Sequence, residues 1–131
     1  MSDRAESVVH DYYDALREGD PLAPYFLEDE STVKFGISEA LFGFEEVSNA
    51  LQTQTETTAE WAVESGHLVV TERDGVATFA DSVTMAWTDT ESGDRNRFET
   101  RWSGTLVRRT DDERAPAWQF AVMHVSTADE L

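Results

Sequence analysis

Two side chains in this sequence stand where proton chemistry would need them. In Phe-Ala-Asp-Ser-Val-Thr-Met-Ala-Trp (79–87), strict alternation places Asp81 on one strand face with Phe79, Val83, Met85 and Trp87. A carboxylate desolvated in an apolar row holds a proton more tightly, which suits a general base that works on a carbon-bound proton. The opposing reading has a bulge or sheet edge turn Asp81 to solvent, or an arginine pair with it. In Trp-Gln-Phe-Ala-Val-Met-His-Val-Ser (118–126), a regular strand sets His124 on the face of Trp118, Phe120, Val122 and Ser126. There it is either a cavity-facing acid or base that titrates near neutral pH, or a structural ring that locks the terminal strand by hydrogen bonds.

Around these two, Tyr13, Trp61, Trp87 and Trp102 supply the aromatic wall of a site for a planar apolar ligand. Arg101 is a candidate cation for a carboxylate or enolate oxygen, and Ser126 a candidate hydroxyl. Tyr12 and Tyr13 are adjacent on one helix and lie about 100° apart, so only one is expected to reach a common cavity. Tyr13 is the candidate, with its hydroxyl on Asp81 or on the ligand. No cysteine is present, and His10, His67 and His124 lie on separate elements without metal-ligand spacing, so no metal site is expected. The sequence also lacks a Gly-rich phosphate loop, a nucleophile elbow and a dinucleotide fingerprint, so no cofactor is implied.

The elements that must position these residues change period midway along the chain. Val8, Val9, Tyr12, Tyr13 and Leu16 form one helical stripe over residues 3–18, which Gly19 ends. Asp20-Pro21 reads as an N-cap followed by proline at the first position of a short helix over 21–28. A short strand around Thr-Val-Lys-Phe-Gly-Ile (32–37) follows, then a third helix over 44–55 with Phe44, Val47, Ala50 and Leu51 on one face. From residue 58 four β-type runs rich in Val, Thr, Phe and Trp follow, at 60–70, 76–88, 97–109 and 117–126. Arg-Asp-Gly (73–75) marks a tight turn, and 90–94 and 111–116 longer exposed loops. The pattern predicts one α+β domain over 1–131, with three N-terminal helices packed in a strongly curved, mostly antiparallel sheet.

Twenty-seven acidic residues oppose ten basic ones, of which only Lys34 is a lysine, for a formal net charge of -17. Such a surface repels phosphate backbones and anionic membranes, so neither nucleic acid nor membrane is an expected partner. Carboxylate excess with so little lysine suggests a halophile's protein, in which salt screens self-repulsion. An ordinary acidic protein is the alternative. No apolar run is long enough to span a bilayer, and the first residues lack signal-peptide character, so a cytoplasmic protein is expected.

The strings Val-Val-His-Asp-Tyr-Tyr-Asp-Ala-Leu-Arg-Glu-Gly-Asp (8–20), Leu-Phe-Gly-Phe-Glu-Glu-Val (41–47), Thr-Arg-Trp-Ser-Gly-Thr-Leu (100–106) and the final Trp-x-Phe-x-x-x-His-x-Ser resemble the SnoaL-like branch of the nuclear transport factor 2-like superfamily. The same ending resembles the association domain of calcium/calmodulin-dependent kinase II. The resemblance implies a cone: a bent sheet closed around the first helix, with a pocket at its wide end and homodimers paired through the sheet. It also implies cofactor-free isomerase, cyclase or dehydratase chemistry on a small molecule. In that reading Asp81 or His124 moves the proton. Non-catalytic ligand-binding and oligomerisation modules share this fold, so a second reading stands beside the first. The kinase domain's arginine pattern departs here, with Gly104 and Val125 at the matching places.

Overall fold

The computed structural model describes residues 4–109 and 116–127. Helix α1 spans Ala5–Glu18 and buries Val8, Val9, Tyr12, Tyr13 and Leu16, the stripe that the 3.6-residue period predicts. Gly19, at φ 73°, closes it in the left-handed conformation, and Asp20 N–H donates to Ala15 O at 2.9 Å. Helix α2, Phe44–Thr57, buries Val47 and Leu51.

The expected helix over 21–28 is not formed. A single 3₁₀ turn, Ala23–Tyr25, stands in its place, so the described chain has two α-helices rather than three. Pro24 explains the loss, since it has no N–H to continue an α-helix and its ring crowds the preceding turn. The chain then becomes extended: Phe26 bridges Phe120, and Leu27 N–H donates to Phe120 O at 3.0 Å.

Seven strands form one mixed sheet: β1 (Val33–Gly36), β2 (Glu39–Phe42), β3 (Thr58–Ser65), β4 (Val69–Arg73), β5 (Val76–Asp89), β6 (Arg95–Arg108) and β7 (Trp118–Thr127). Their order is β2-β1-β7-β6-β5-β3, with β4 also against β5. Only the β1–β7 pair is parallel. Asp74 and Gly75, both at positive φ, make the expected tight turn between β4 and β5. The loop expected over 111–116 lies almost wholly outside the described residues.

Two irregularities bend the sheet and decide which side chains face inward. The run at 60–70 is broken at Gly66, whose N–H donates to Ser82 O at 2.7 Å. A Cβ there would lie 2.9 Å from that same oxygen, so the kink needs glycine. On β7, Phe120 pairs with Leu106 and Val122 with Thr105, which leaves Ala121 as a bulge. A Cβ on Gly104 beside it would overlap Val122 O. Tyr12 fills the core that results, edge-on to Phe26, Trp102 and Phe120.

Candidate functional site

The concave side of the sheet encloses a cavity of about 570 Å³. Its walls come from α1 (Tyr12, Leu16), the β1–β2 hairpin, α2 and the ends of β3, β5 and β6 nearest it. Trp61 and Trp87 stack at 4.9 Å and 20°, and Trp87 continues onto Phe98 at 5.5 Å and 27°. The Trp61 indole N–H is spent on Thr58 Oγ1 at 2.8 Å, so the ring presents π-faces rather than a donor. Met85, Trp102 and Val125 complete the apolar lining.

One ion pair interrupts that surface. Lys34 Nζ donates to Glu39 Oε1 at 2.7 Å. The two side chains differ sharply in exposure, 8% for Lys34 against 36% for Glu39. Strand β1 turns Lys34 inward beside Met123 of β7, and the hairpin returns Glu39 opposite Gly36. A Cβ on Gly36 would lie 2.6 Å from Glu39 Oε1, so the missing side chain is what lets the carboxylate fold back onto the lysine. Tyr12 keeps its hydroxyl proton well above the ordinary tyrosine range, chiefly through burial and further through the charge of Glu39.

Asp81 faces inward with Phe79, Val83 and Met85, but it does not line this cavity. Its Oδ2 accepts hydrogen bonds from Tyr13 Oη at 2.9 Å and Ser65 Oγ at 2.6 Å, and its Oδ1 accepts from His67 N–H at 2.9 Å. The carboxylate therefore fastens α1 to the β3–β4 kink. Burial and the adjacent Asp81 charge push the Tyr13 hydroxyl above the ordinary tyrosine range. Tyr13 meets Asp81 as one of its expected partners, while Tyr12 is the tyrosine that lines the cavity.

His124 is exposed on the outer face of the sheet, edge-on to Phe35 at 5.7 Å. The bulge at Ala121 inverts the alternation after Phe120, so His124 lies opposite in phase to Trp118 and Phe120 and does not line the inner cavity. Arg101 is likewise exposed, with its Nη2 on Thr127 O at 3.3 Å. His124, Arg101 and Ser126 border a shallow outer trough of about 520 Å³, which Asp81 and Trp102 touch with their rings and carboxylate turned inward. Of the aromatics expected in one site, Trp61, Trp87 and Trp102 do meet around the inner cavity.

Sequence reasoning missed Lys34, Glu39 and Phe98. The available signal was a lone lysine inside a β-type apolar run. Among the described residues no group of three or more His, Cys, Asp or Glu is arranged to hold a metal.

The model of the SnoaL-like domain matches residues 5–130. Comparison with curated proteins finds no match. Among solved structures, a candidate dehydratase of the nuclear transport factor 2-like family from Streptomyces avermitilis superposes with TM-score 0.82 at 14% identity, covering 98% of this chain and 96% of that one. A ketosteroid isomerase-like protein from Erwinia carotovora atroseptica gives 0.73 at 18%, covering 95% and 94%. An uncharacterised protein with a cystatin-like fold from Caulobacter vibrioides gives 0.76 at 17%, covering 97% and 89%. At these identities the likeness establishes the fold alone.

Proposed function

The chain belongs to the SnoaL-like domain family, and from that premise we propose that its cone binds a planar, largely apolar small molecule carrying a carbonyl oxygen. The observation that carries this reading is the pairing, in one 570 Å³ cavity, of the Trp61–Trp87–Phe98 stack with a buried lysine. The volume lies within the range of small-molecule sites, and an apolar wall with few polar groups is their usual composition. The rings hold the flat body of the ligand, and the Lys34 ammonium, which has three donors, takes its oxygen.

Proton transfer, which the names of the dehydratase and isomerase-like neighbours suggest, would run through Glu39 rather than Asp81 or His124. Glu39 is the only carboxylate among the lining residues. In that step Glu39 takes a proton from the carbon next to the carbonyl, the C–H electron pair becomes the carbon–carbon double bond of an enolate, the carbonyl π pair moves onto the oxygen, and Lys34 faces the negative charge that develops there. The non-catalytic reading is favoured by one observation: the carboxylate expected to do the chemistry, Asp81, already accepts three hydrogen bonds.

Titration with 2-acetylnaphthalene, followed by tryptophan fluorescence, tests binding. Saturable quenching is expected, with Trp87→Ala weakening it at least about tenfold. An unsaturable response identical in that variant would sink the reading. Deuterium uptake at the ketone methyl group in D₂O then separates the two roles. Uptake lost in Glu39→Gln marks an enzyme, and uptake at the solvent rate a binding protein.

A copy-to-copy contact through the outer sheet face is proposed as well, supported by exposed Val69 and Val122.

A further inference from the structure

The Lys34–Glu39 pair says more about the ligand than that it has an oxygen. We infer that Glu39 is a built-in stand-in for the ligand's own oxyanion, and that the cone takes a planar aromatic carboxylate whose carboxyl group displaces Glu39 from Lys34. The inference rests on the cavity being a ligand site, as proposed above.

Three observations lead to it. Lys34 is the only lysine of 131 residues, and it sits on the cavity wall in a chain that carries 27 acidic residues. Glu39 is the single acid of that wall, so the lining is neutral in a chain of net charge -17. The partners are also unequal in exposure, 8% against 36%. A buried ammonium stripped of its partner is strongly disfavoured, whereas a carboxylate one-third exposed regains water by a rotation of its side chain. The pair is thus set to exchange its anion and to retain its cation.

An incoming carboxylate offers Lys34 an oxyanion in place of Glu39 Oε1 and adds an aromatic body to the Trp61–Trp87 wall. A neutral amide or ketone must share the lysine with Glu39. Phosphate and sulfate fit less well, because a doubly charged or three-oxygen group calls for several donors and the wall offers one cation. Gly36 marks the exchange path: the three atoms nearest to a Cβ placed there all belong to the Glu39 side chain.

Isothermal titration with 2-naphthoate and its neutral isostere 2-naphthamide tests the inference in wild type, Glu39→Gln, Gly36→Ala and Lys34→Met. Gly36→Ala pushes the carboxylate aside without altering any charge, so it keeps the test independent of how well Glu39→Gln folds. Wild type is expected to bind the acid at least about tenfold tighter than the amide. Glu39→Gln and Gly36→Ala each tighten the acid by about tenfold and leave the amide within about threefold, and Lys34→Met abolishes the preference. An amide that binds as tightly as the acid, with no gain in Glu39→Gln or Gly36→Ala, overturns the inference and leaves the cavity reading intact. If neither probe binds any variant, the cavity reading falls with it.

Discussion

Replacing Asp81 gives the most searching test of how the two inward carboxylates divide their roles. Its three donors do not suffer equally when it is lost. The Ser65 hydroxyl and the His67 backbone N–H make part-buried bonds that water can replace, whereas the bond from Tyr13 is buried and the residue only 1% exposed. Asp81→Ala therefore strands one fully buried hydroxyl and removes two charge-assisted bonds to groups that rehydrate, a loss of roughly 2–4 kcal/mol. For a domain of this size that corresponds to a Tm lower by roughly 6–15 °C. Asp81→Asn should lose only about 1–2 kcal/mol, because its amide oxygen still serves the His67 N–H while its NH₂ group faces two hydroxyls able to accept.

The decisive measurement is a double-mutant cycle with Tyr13→Phe, read by thermal denaturation at fixed salt. In the wild-type background Tyr13→Phe removes a bond to a carboxylate and costs about 1–2 kcal/mol. In Asp81→Ala it deletes the stranded hydroxyl, so its effect should vanish or become stabilising. Ligand binding should be unchanged throughout, since Asp81 does not line the cavity. Additive effects, or loss of ligand affinity with an unchanged Tm, would refute the assignment of Asp81 as a fastener and restore it to the site.

Other expectations follow from the same geometry. Tyr12 and Tyr13 both hold their protons more tightly when folded, mainly through burial, so their stabilising effect is complete below the ordinary tyrosine value of 10.0 and is lost as pH rises past it. Alkaline titration should show their tyrosinate appearing together with loss of ellipticity, and ionisation ahead of unfolding would contradict this. Val122→Glu sets a charge on the outer face beside His124, and light scattering should find it a monomer where wild type is a dimer; a wild-type monomer at high concentration would dismiss the contact. Charge repulsion among 27 acids should make Tm climb between about 0.1 and 3 M KCl as the screening length falls from about 10 Å to below 3 Å, and a flat profile would dismiss the salt-adapted reading.

What could be read ahead of the structure was what depends on local period. The α1 stripe and the row Phe79–Met85 each obey a single repeat, and both buried faces are the ones that the repeat selects; beyond Met85 the alternation lapses, with Ala86 buried as well and Trp87 only partly so. Strand β7 keeps its repeat only as far as Phe120. One inserted residue, Ala121, reverses everything after it, and the only trace in sequence is a glycine, Gly104, on the neighbouring strand. The helix expected over 21–28 failed at Pro24, a breaker inside a run that otherwise has helical spacing. Glu39 was invisible for a different reason. Its meeting with Lys34 depends on a hairpin that sets residue 39 opposite residue 36, and the run Ser-Glu-Ala-Leu-Phe carries no strand pattern.

Asp81 and Glu39 show why burial alone is a poor guide to chemistry. Asp81 is the more buried, and its buried position is satisfied by donors from α1, β3 and the kink. Glu39 is half-open, tied by one bond to one cation, and borders empty space. A group that must change partners needs the second arrangement. The surrounding charge sharpens the contrast, because a field from net charge -17 opposes any anion that approaches, while the local attraction of a buried ammonium is screened far less than that field. Added salt should then weaken the repulsion before it weakens Lys34. The affinity for 2-naphthoate is expected to rise with KCl, opposite to the trend of an exposed lysine, and that for 2-naphthamide to change little. An acid affinity that falls steadily with salt would mean that the carboxylate is held at the surface, outside the cone.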